Sequence, residues 1–256
     1  MDRVELQEDN LRILVRNGGF QFSDTFFPYT SGQIGPYYVN SESVMKTSGD
    51  YFLAVKYFAD LINSVINKWE FDVISGGESR DWIFSNEVAL RLGKSSVMIY
   101  KDRKIIPHVD DLRGKRVVHV ADLNNEGSSP RDIWIPALRN AGATVKNILF
   151  YVDRLEDGVG VMKSLELRSE AVVPLNEHAW NYLKQQDVLN EQIYKNLRER
   201  MEDKDAWARA MLRSEKGFAR FRELINNSKT YVKAIKVIEV GYPDLKQEIM
   251  DRLGRS

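Results

Sequence analysis

Arg116-Val117-Val118-His119-Val120-Ala121-Asp122-Leu123-Asn124-Asn125-Glu126-Gly127-Ser128-Ser129-Pro130 is the stretch that decides the fold class. Its first five residues are almost continuously apolar, the pattern of a strand buried on both faces. They open into a polar loop carrying Asp122, Gly127, Ser128 and Ser129, and Pro130 suits the first turn of a helix that ends near Gly142. The same design occurs upstream. Phe71-Asp72-Val73-Ile74 reads as a short strand, Ser75 to Asp81 as a Gly-containing loop, and Trp82 to Leu92 as a helix closed by Gly93. Val97-Met98-Ile99-Tyr100, Val145 to Val152 and Ala171-Val172-Val173 read as further strands. A helix begins near Ser48 and Asp50, with Phe52, Val55, Phe58, Ile62 and Val65 at helical spacing. Strands separated by helix-length segments predict an α/β fold: a mostly parallel sheet with helices on both faces.

The pattern changes after residue 177. Tyr182, Leu183, Leu189, Ile193 and Leu197 fit a helix face, and Val237-Ile238-Glu239-Val240 is the sole strand signal. The expected organisation is an α/β domain over 1–177 and a C-terminal helical extension over 178–256. From Asn190 onward there are fifteen Lys and Arg against eleven Asp and Glu, 15 − 11 = +4. Acids interleave with the bases there, which favours solvated amphipathic helices over a nucleic-acid surface.

The 256 residues carry 37 Lys and Arg and 37 Asp and Glu, a net charge of zero. That argues against a broad basic surface for nucleic acid or anionic lipid. The absence of cysteine removes disulfides, thiolate metal sites and a Cys nucleophile. Three scattered histidines do not make a zinc site, and no Gly-x-Ser-x-Gly elbow occurs. No apolar run is long enough for a membrane span, and Met1-Asp2-Arg3-Val4-Glu5 has no signal pattern. A soluble, cytoplasmic protein with no membrane and no nucleic-acid partner is expected.

Two strand–loop–helix units in one sheet present backbone N–H groups at the carboxyl ends of the strands, where anionic ligands bind. A phosphorylated ligand is expected, although each loop alone reads equally well as an ordinary βα turn. Lys101, Arg103, Lys104 and His108 fall in the charged loop from Lys101 to Asp111, suited either to a pyrophosphate or simply to solvent. His119 reads as a packed, hydrogen-bonded histidine and His178 as helix surface. Tyr29 to Asn40 is an aromatic segment that suits either a planar base or a core hairpin. Arg154, at a strand end, suits a bidentate carboxylate contact or a surface pair with Asp153.

Taken together, these segments resemble the orotate phosphoribosyltransferases of the type I phosphoribosyltransferase fold, over about residues 10–180. Thr30-Ser31-Gly32 with Gly35-Pro36-Tyr37-Tyr38-Val39-Asn40 is similar to that family's N-terminal Ser-Gly and Pro-Tyr-aromatic segment. Val152-Asp153-Arg154-Leu155-Glu156-Asp157-Gly158 is similar to its Asp-Arg-Gln-Glu-Gly segment, and Leu112 to Val118 to the lead-in of its diphosphate-sugar motif. Lys101 and Lys104 match its mobile-loop lysine pair, which reaches a neighbouring subunit. His108 falls near its histidine, and Arg80 stands where it has a lysine. The resemblance implies phosphoribosyl transfer from phosphoribosyl pyrophosphate (PRPP) to orotate with Mg²⁺, in a homodimer. It implies catalytic roles for Lys101, Lys104, His108 and Asp122. PRPP would be bound by Ser79, Arg80, Lys101, Lys104, Asp122, Asn125, Glu126, Gly127, Ser128 and Ser129. Orotate would be bound by Tyr38, Val39 and Arg154, and the metal by Asp122 through water. Ala121 and Glu126 depart from the pattern, because the family has two adjacent acids and then a Thr-rich loop. They keep open a non-catalytic protein of this fold that binds a nucleotide or a protein partner.

Overall fold

The computed structural model describes residues 2–106 and 112–254. In chain order it runs α1 (Arg3–Arg16), β1 (Phe20–Pro28), β2 (Ile34–Val39), a 3-10 turn (Ser41–Lys46), α2 (Ser48–Val65), β3 (Val73–Gly77), α3 (Asp81–Leu92), β4 (Ser95–Ile99) and β5 (Ile105–Ile106). It continues β6 (Arg116–Asn124), a π-helical turn (Pro130–Trp134), α4 (Ile135–Asn140), β7 (Thr144–Asp153), α5 (Asp157–Ser164), β8 (Arg168–Pro174) and α6 (Glu177–Gln185). Then come α7 (Glu191–Glu202), α8 (Lys204–Arg213), α9 (Glu215–Asn226), α10 (Tyr231–Lys236) and α11 (Lys246–Arg252).

Chain contacts divide it into two units: Met1–Gly19 with Asn40–Tyr182, and Phe20–Val39 with Leu183–Ser256. This differs from a break at 177, because the hairpin of β1 and β2 groups with the helices. Burial is the reason. Phe26 and Ile34, both fully buried, share a core with Trp207, Leu212, Phe221 and Leu245.

In the first unit, and among the described residues, six strands form one sheet in the order β5-β4-β3-β6-β7-β8. All pairs are parallel except β4 with β5. The chain steps outward from β3 to β4, then returns to the other side of β3 as β6. The loops after β3 and β6 therefore diverge and leave a crevice between them. Adjacent residues of β7 show that both faces are covered. Phe150 packs in a core with Trp134 and Leu138, whereas the Tyr151 ring lies 4.4 Å from that of Phe84 in α3. The buried Tyr151 hydroxyl donates to Asn10 Oδ1 of α1 at 3.0 Å.

Local chemistry sets the element ends. Thr47, rather than Ser48, caps α2 by accepting the Asp50 N–H at 3.1 Å. Gly93 ends α3 at φ 64°, a left-handed position that glycine takes without strain. Asp2 caps α1, a helix absent from the sequence reading. The loop read over 101–111 contains a short strand, since Ile105 and Ile106 pair with Ile99 and Met98.

In the second unit β1 and β2 form an antiparallel hairpin, and Tyr29 at its tip donates to the Tyr37 carbonyl at 2.6 Å. Val237 to Val240, read as strand, fall in a π-helical turn (Val237–Gly241) that continues α10. Val237 and Ile238 are buried against the helical core, and that burial overrides their strand propensity. No described helix is long and apolar enough to cross a membrane.

Candidate phosphate and ribose site

The crevice between the β3 and β6 loops is a cavity of about 370 Å³, with Glu78, Ser79, Arg80, Lys101, Asp122 and Ser129 on its wall. Two glycines make its construction possible. A Cβ on Gly77 would come within 2.2 Å of the Trp134 indole, so only glycine lets that ring lie against the end of β3. Gly127 turns the chain out of β6 at φ 68°, and a Cβ there would come within 2.8 Å of Met162. The helical run begins at Ser128, so the N–H groups of Ser128 and Ser129 precede the first helical bond, from the Arg131 N–H to the Gly127 carbonyl at 3.0 Å, and suit an anion.

The first loop is tied down at several points. Glu78 donates its N–H to the Ile99 carbonyl at 2.8 Å and accepts the Lys101 N–H on its carboxylate at 2.9 Å. Trp82 Nε1 donates to the Gly76 carbonyl at 3.0 Å. Arg80 Nε donates to Glu42 at 2.6 Å, and both side chains are exposed. Asp81, the first residue of α3, accepts the Gly77 N–H on Oδ2 and the Asp122 N–H on Oδ1, each at 2.9 Å.

Asp122 is the electrostatic centre. Burial and then the neighbouring Asp81 carboxylate push its pKa up to about 7. The Ser41 hydroxyl, donating to Oδ2 at 2.8 Å, and the charge of Arg80 pull the other way. His119 is fully buried, with Nδ1 2.9 Å from Ser75 Oγ and Nε2 3.6 Å from Asp81 Oδ2. It is the packed histidine expected of that strand. His178 is half-buried on α6 and pairs with Glu8 at 3.0 Å.

Ser79, Arg80, Lys101, Asp122 and Ser129 thus meet in one cavity. Lys104 does not. It is exposed in a tight turn, where the Tyr100 N–H donates to its carbonyl at 2.8 Å. Asn125, Glu126, Gly127 and Ser128 form the adjoining loop and helix start without entering the cavity wall. His108 lies outside the described residues. Arg154 is buried at the end of β7. Its N–H donates to the Asn124 carbonyl at 3.1 Å, and Nη1 is 3.5 Å from Asn125 Oδ1. Beside it, burial raises the Asp153 pKa, while the Leu155 N–H and Asn124 amide stabilise its charge. Tyr38, half-buried, and Val39, buried, stand on β2 in the second unit. Sequence reading passed over Ser41 and Asp81. Asp81 closes the first Gly-rich loop, and a carboxylate at a helix start was the available signal.

No family model matches the chain. It is 26% identical over 203 residues to an orotate phosphoribosyltransferase of Sulfolobus acidocaldarius, spanning 77% of this chain and 90% of that protein. It is 24% identical over 178 residues to that of Acinetobacter baumannii, spanning 65% and 79%. Among solved structures, the Leishmania donovani UMP synthase superposes with a TM-score of 0.65 at 23% identity, over 78% of this chain and 42% of that one. The Aeropyrum pernix orotate phosphoribosyltransferase superposes with a TM-score of 0.57 at 22% identity, over 70% and 99%.

Proposed function

We propose that this chain, which is orotate phosphoribosyltransferase-like and has the type I phosphoribosyltransferase fold, transfers the phosphoribosyl group of PRPP to orotate. The products are orotidine 5′-phosphate and pyrophosphate. The observation that carries the reading is the gathering of Ser79, Arg80, Lys101, Asp122 and Ser129 in one cavity at the carboxyl ends of β3 and β6.

In this reading a bond forms between a ring nitrogen of orotate and the anomeric carbon, the bond from that carbon to pyrophosphate breaks, and the proton of that nitrogen passes to the departing pyrophosphate or to water. Positive charge grows on the ribose as negative charge grows on the leaving group. Arg80 and Lys101 neutralise the pyrophosphate with charge-assisted hydrogen bonds. Ser128 and Ser129, with the N–H groups of their helical turn, hold the 5′-phosphate. Asp122 accepts from a ribose hydroxyl. Arg154 takes the carboxylate of orotate, a planar fork against a planar anion. Catalysis is then mainly positioning and charge neutralisation.

Mg²⁺ belongs to the same proposal. No cluster of three or more potential metal ligands exists among the described residues, but Asp122 and Asp81 bring two carboxylates together. One or two carboxylates with substrate phosphates and water are the usual setting for this ion. When bound it would supply further neutralisation of the pyrophosphate, with Asp122 holding its water. The exposed Lys104 fits the part that the resemblance gives it, reaching a second copy of the chain, so a homodimer is expected by sedimentation.

The test is the loss of orotate absorbance with purified protein, PRPP and Mg²⁺, against a control without PRPP. Turnover supports the reading. Its absence at high protein concentration, with PRPP still binding, leaves a nucleotide-binding protein of this fold.

A further inference from the structure

Ala121 and Asp81 both lie on the cavity wall, and only Asp81 has a side chain that can accept a hydrogen bond. The Asp81 carboxylate is fixed by two backbone N–H groups, those of Gly77 and Asp122, one on each of its oxygens. Each oxygen therefore keeps a lone pair for another donor. Asp122 lies on the same wall with its Oδ2 held by the Ser41 hydroxyl, and the neighbouring Asp81 carboxylate opposes its ionisation. His119 is aimed at the pair. It is fully buried, Ser75 holds its Nδ1, and its Nε2 has no hydrogen-bond partner and stands 3.6 Å from Asp81 Oδ2. Two neighbouring carboxylates, one from each loop unit, thus line one wall of the cavity with lone pairs left for a further donor. A vicinal diol answers that arrangement, because it offers two neighbouring hydroxyl donors.

We propose that Asp81 supplies the second carboxylate that Ala121 lacks, and that Asp81 and Asp122 together hold the two ring hydroxyls of the ribose. The inference rests on the phosphoribosyl reading above and adds a binding residue to it. It also accounts for Ala121: an acid delivered from the start of α3 makes a second acid in β6, beside Asp122, redundant.

The test is titration calorimetry of the full chain with two separate probes, ribose 5-phosphate and inorganic pyrophosphate. Asp81→Asn keeps the side-chain shape and removes the charge together with one of the two backbone N–H bonds, for which the pyrophosphate probe is the control. Ribose 5-phosphate affinity is expected to fall about ten- to a hundredfold, the usual cost of one charge-assisted hydrogen bond, and pyrophosphate affinity to stay within about twofold. Equal losses for both probes would mean that Asp81 only braces the loops, and would overturn the proposal. So would no loss for either. Should Asp81→Asn fail to fold by circular dichroism, Ala121→Asp decides. A change in ribose 5-phosphate affinity of no more than about twofold supports the proposal, and a tenfold gain overturns it. An unaltered chain that binds neither ribose 5-phosphate nor PRPP overturns the phosphoribosyl reading itself, and this inference with it.

Discussion

The backbone N–H of Asp122 donates to Oδ1 of Asp81 at 2.9 Å, so the carboxyl end of β6 is tied to the first turn of α3. These residues come from different strand–loop–helix units. Their contact joins the two loops that form the cavity, and it makes the position of either loop depend on the other.

Lys101 is exposed and borders that cavity, with its backbone held by Glu78. Lys101→Ala removes one ammonium without disturbing this backbone bond. Pyrophosphate affinity by calorimetry is expected to drop roughly ten- to a hundredfold. Unchanged pyrophosphate binding would remove Lys101 from the site.

Gly127→Ala tests the second loop. The left-handed backbone penalises any Cβ by about 1–2 kcal/mol, and the added methyl also meets Met162 and Val161. A loss of at least about 1 kcal/mol in urea unfolding is expected, accompanied by weaker phosphate binding. Full stability would mean that the turn relaxes easily and does not shape the cavity.

The cluster of Asp9, Tyr57 and Arg12 gives a pH dependence at both extremes. Burial alone would raise the Asp9 pKa, but the Tyr57 hydroxyl, donating at 2.6 Å, and Arg12 outweigh it and lower the value. The ionised Asp9 therefore contributes stability that is present above the ordinary carboxylate pKa and lost as pH falls through the lowered one. Tyr57 is pushed up to about 12, first by its bond to Asp9 and then by burial. Its contribution is present below the ordinary tyrosine pKa and lost as pH rises through about 12. Melting temperatures across pH should show Tyr57→Phe flattening both limbs. Identical profiles for the two proteins would dismiss the cluster as a stabilising element.

Phe26 of β1 is fully buried among Trp207, Phe221 and Leu245. Phe26→Ala should cost about 3–5 kcal/mol, the price of an aromatic cavity in a packed core. A loss below about 1 kcal/mol in chemical unfolding would show that the hairpin is not part of the helical core.

The two loop units were legible because their signals are local. Apolar runs such as Val117 to Val120, followed by a Gly-containing loop and a helix start, need only neighbouring residues to be read. Arg80, Lys101, Asp122 and Ser129 stood out in this way, the family resemblance added Ser79, and the order β4-β3-β6 brings them into one crevice. Asp81 was hidden, although it sits in a loop already singled out. Its partner Asp122 is 41 residues away in sequence, and no local pattern reports that contact. Val237 to Val240 misled for the opposite reason. Their β-branched side chains signal a strand locally, yet a helical core surrounds Val237 and Ile238, and packing prevails.

The sequence by itself determined the alternation of strand and helix, the polarity of the loops at the strand ends, the absence of any thiol chemistry and the balance of charge. Each of these follows from side-chain type and spacing over fewer than about twenty residues. Tertiary structure alone decided that residues 20–39 pack with the helices after 183, that Trp134 closes against Gly77, and that Asp81 meets Asp122. Those outcomes depend on which buried surfaces fit one another and on which distant donor satisfies each buried acceptor. Such choices are made only when the whole chain has collapsed around its cores.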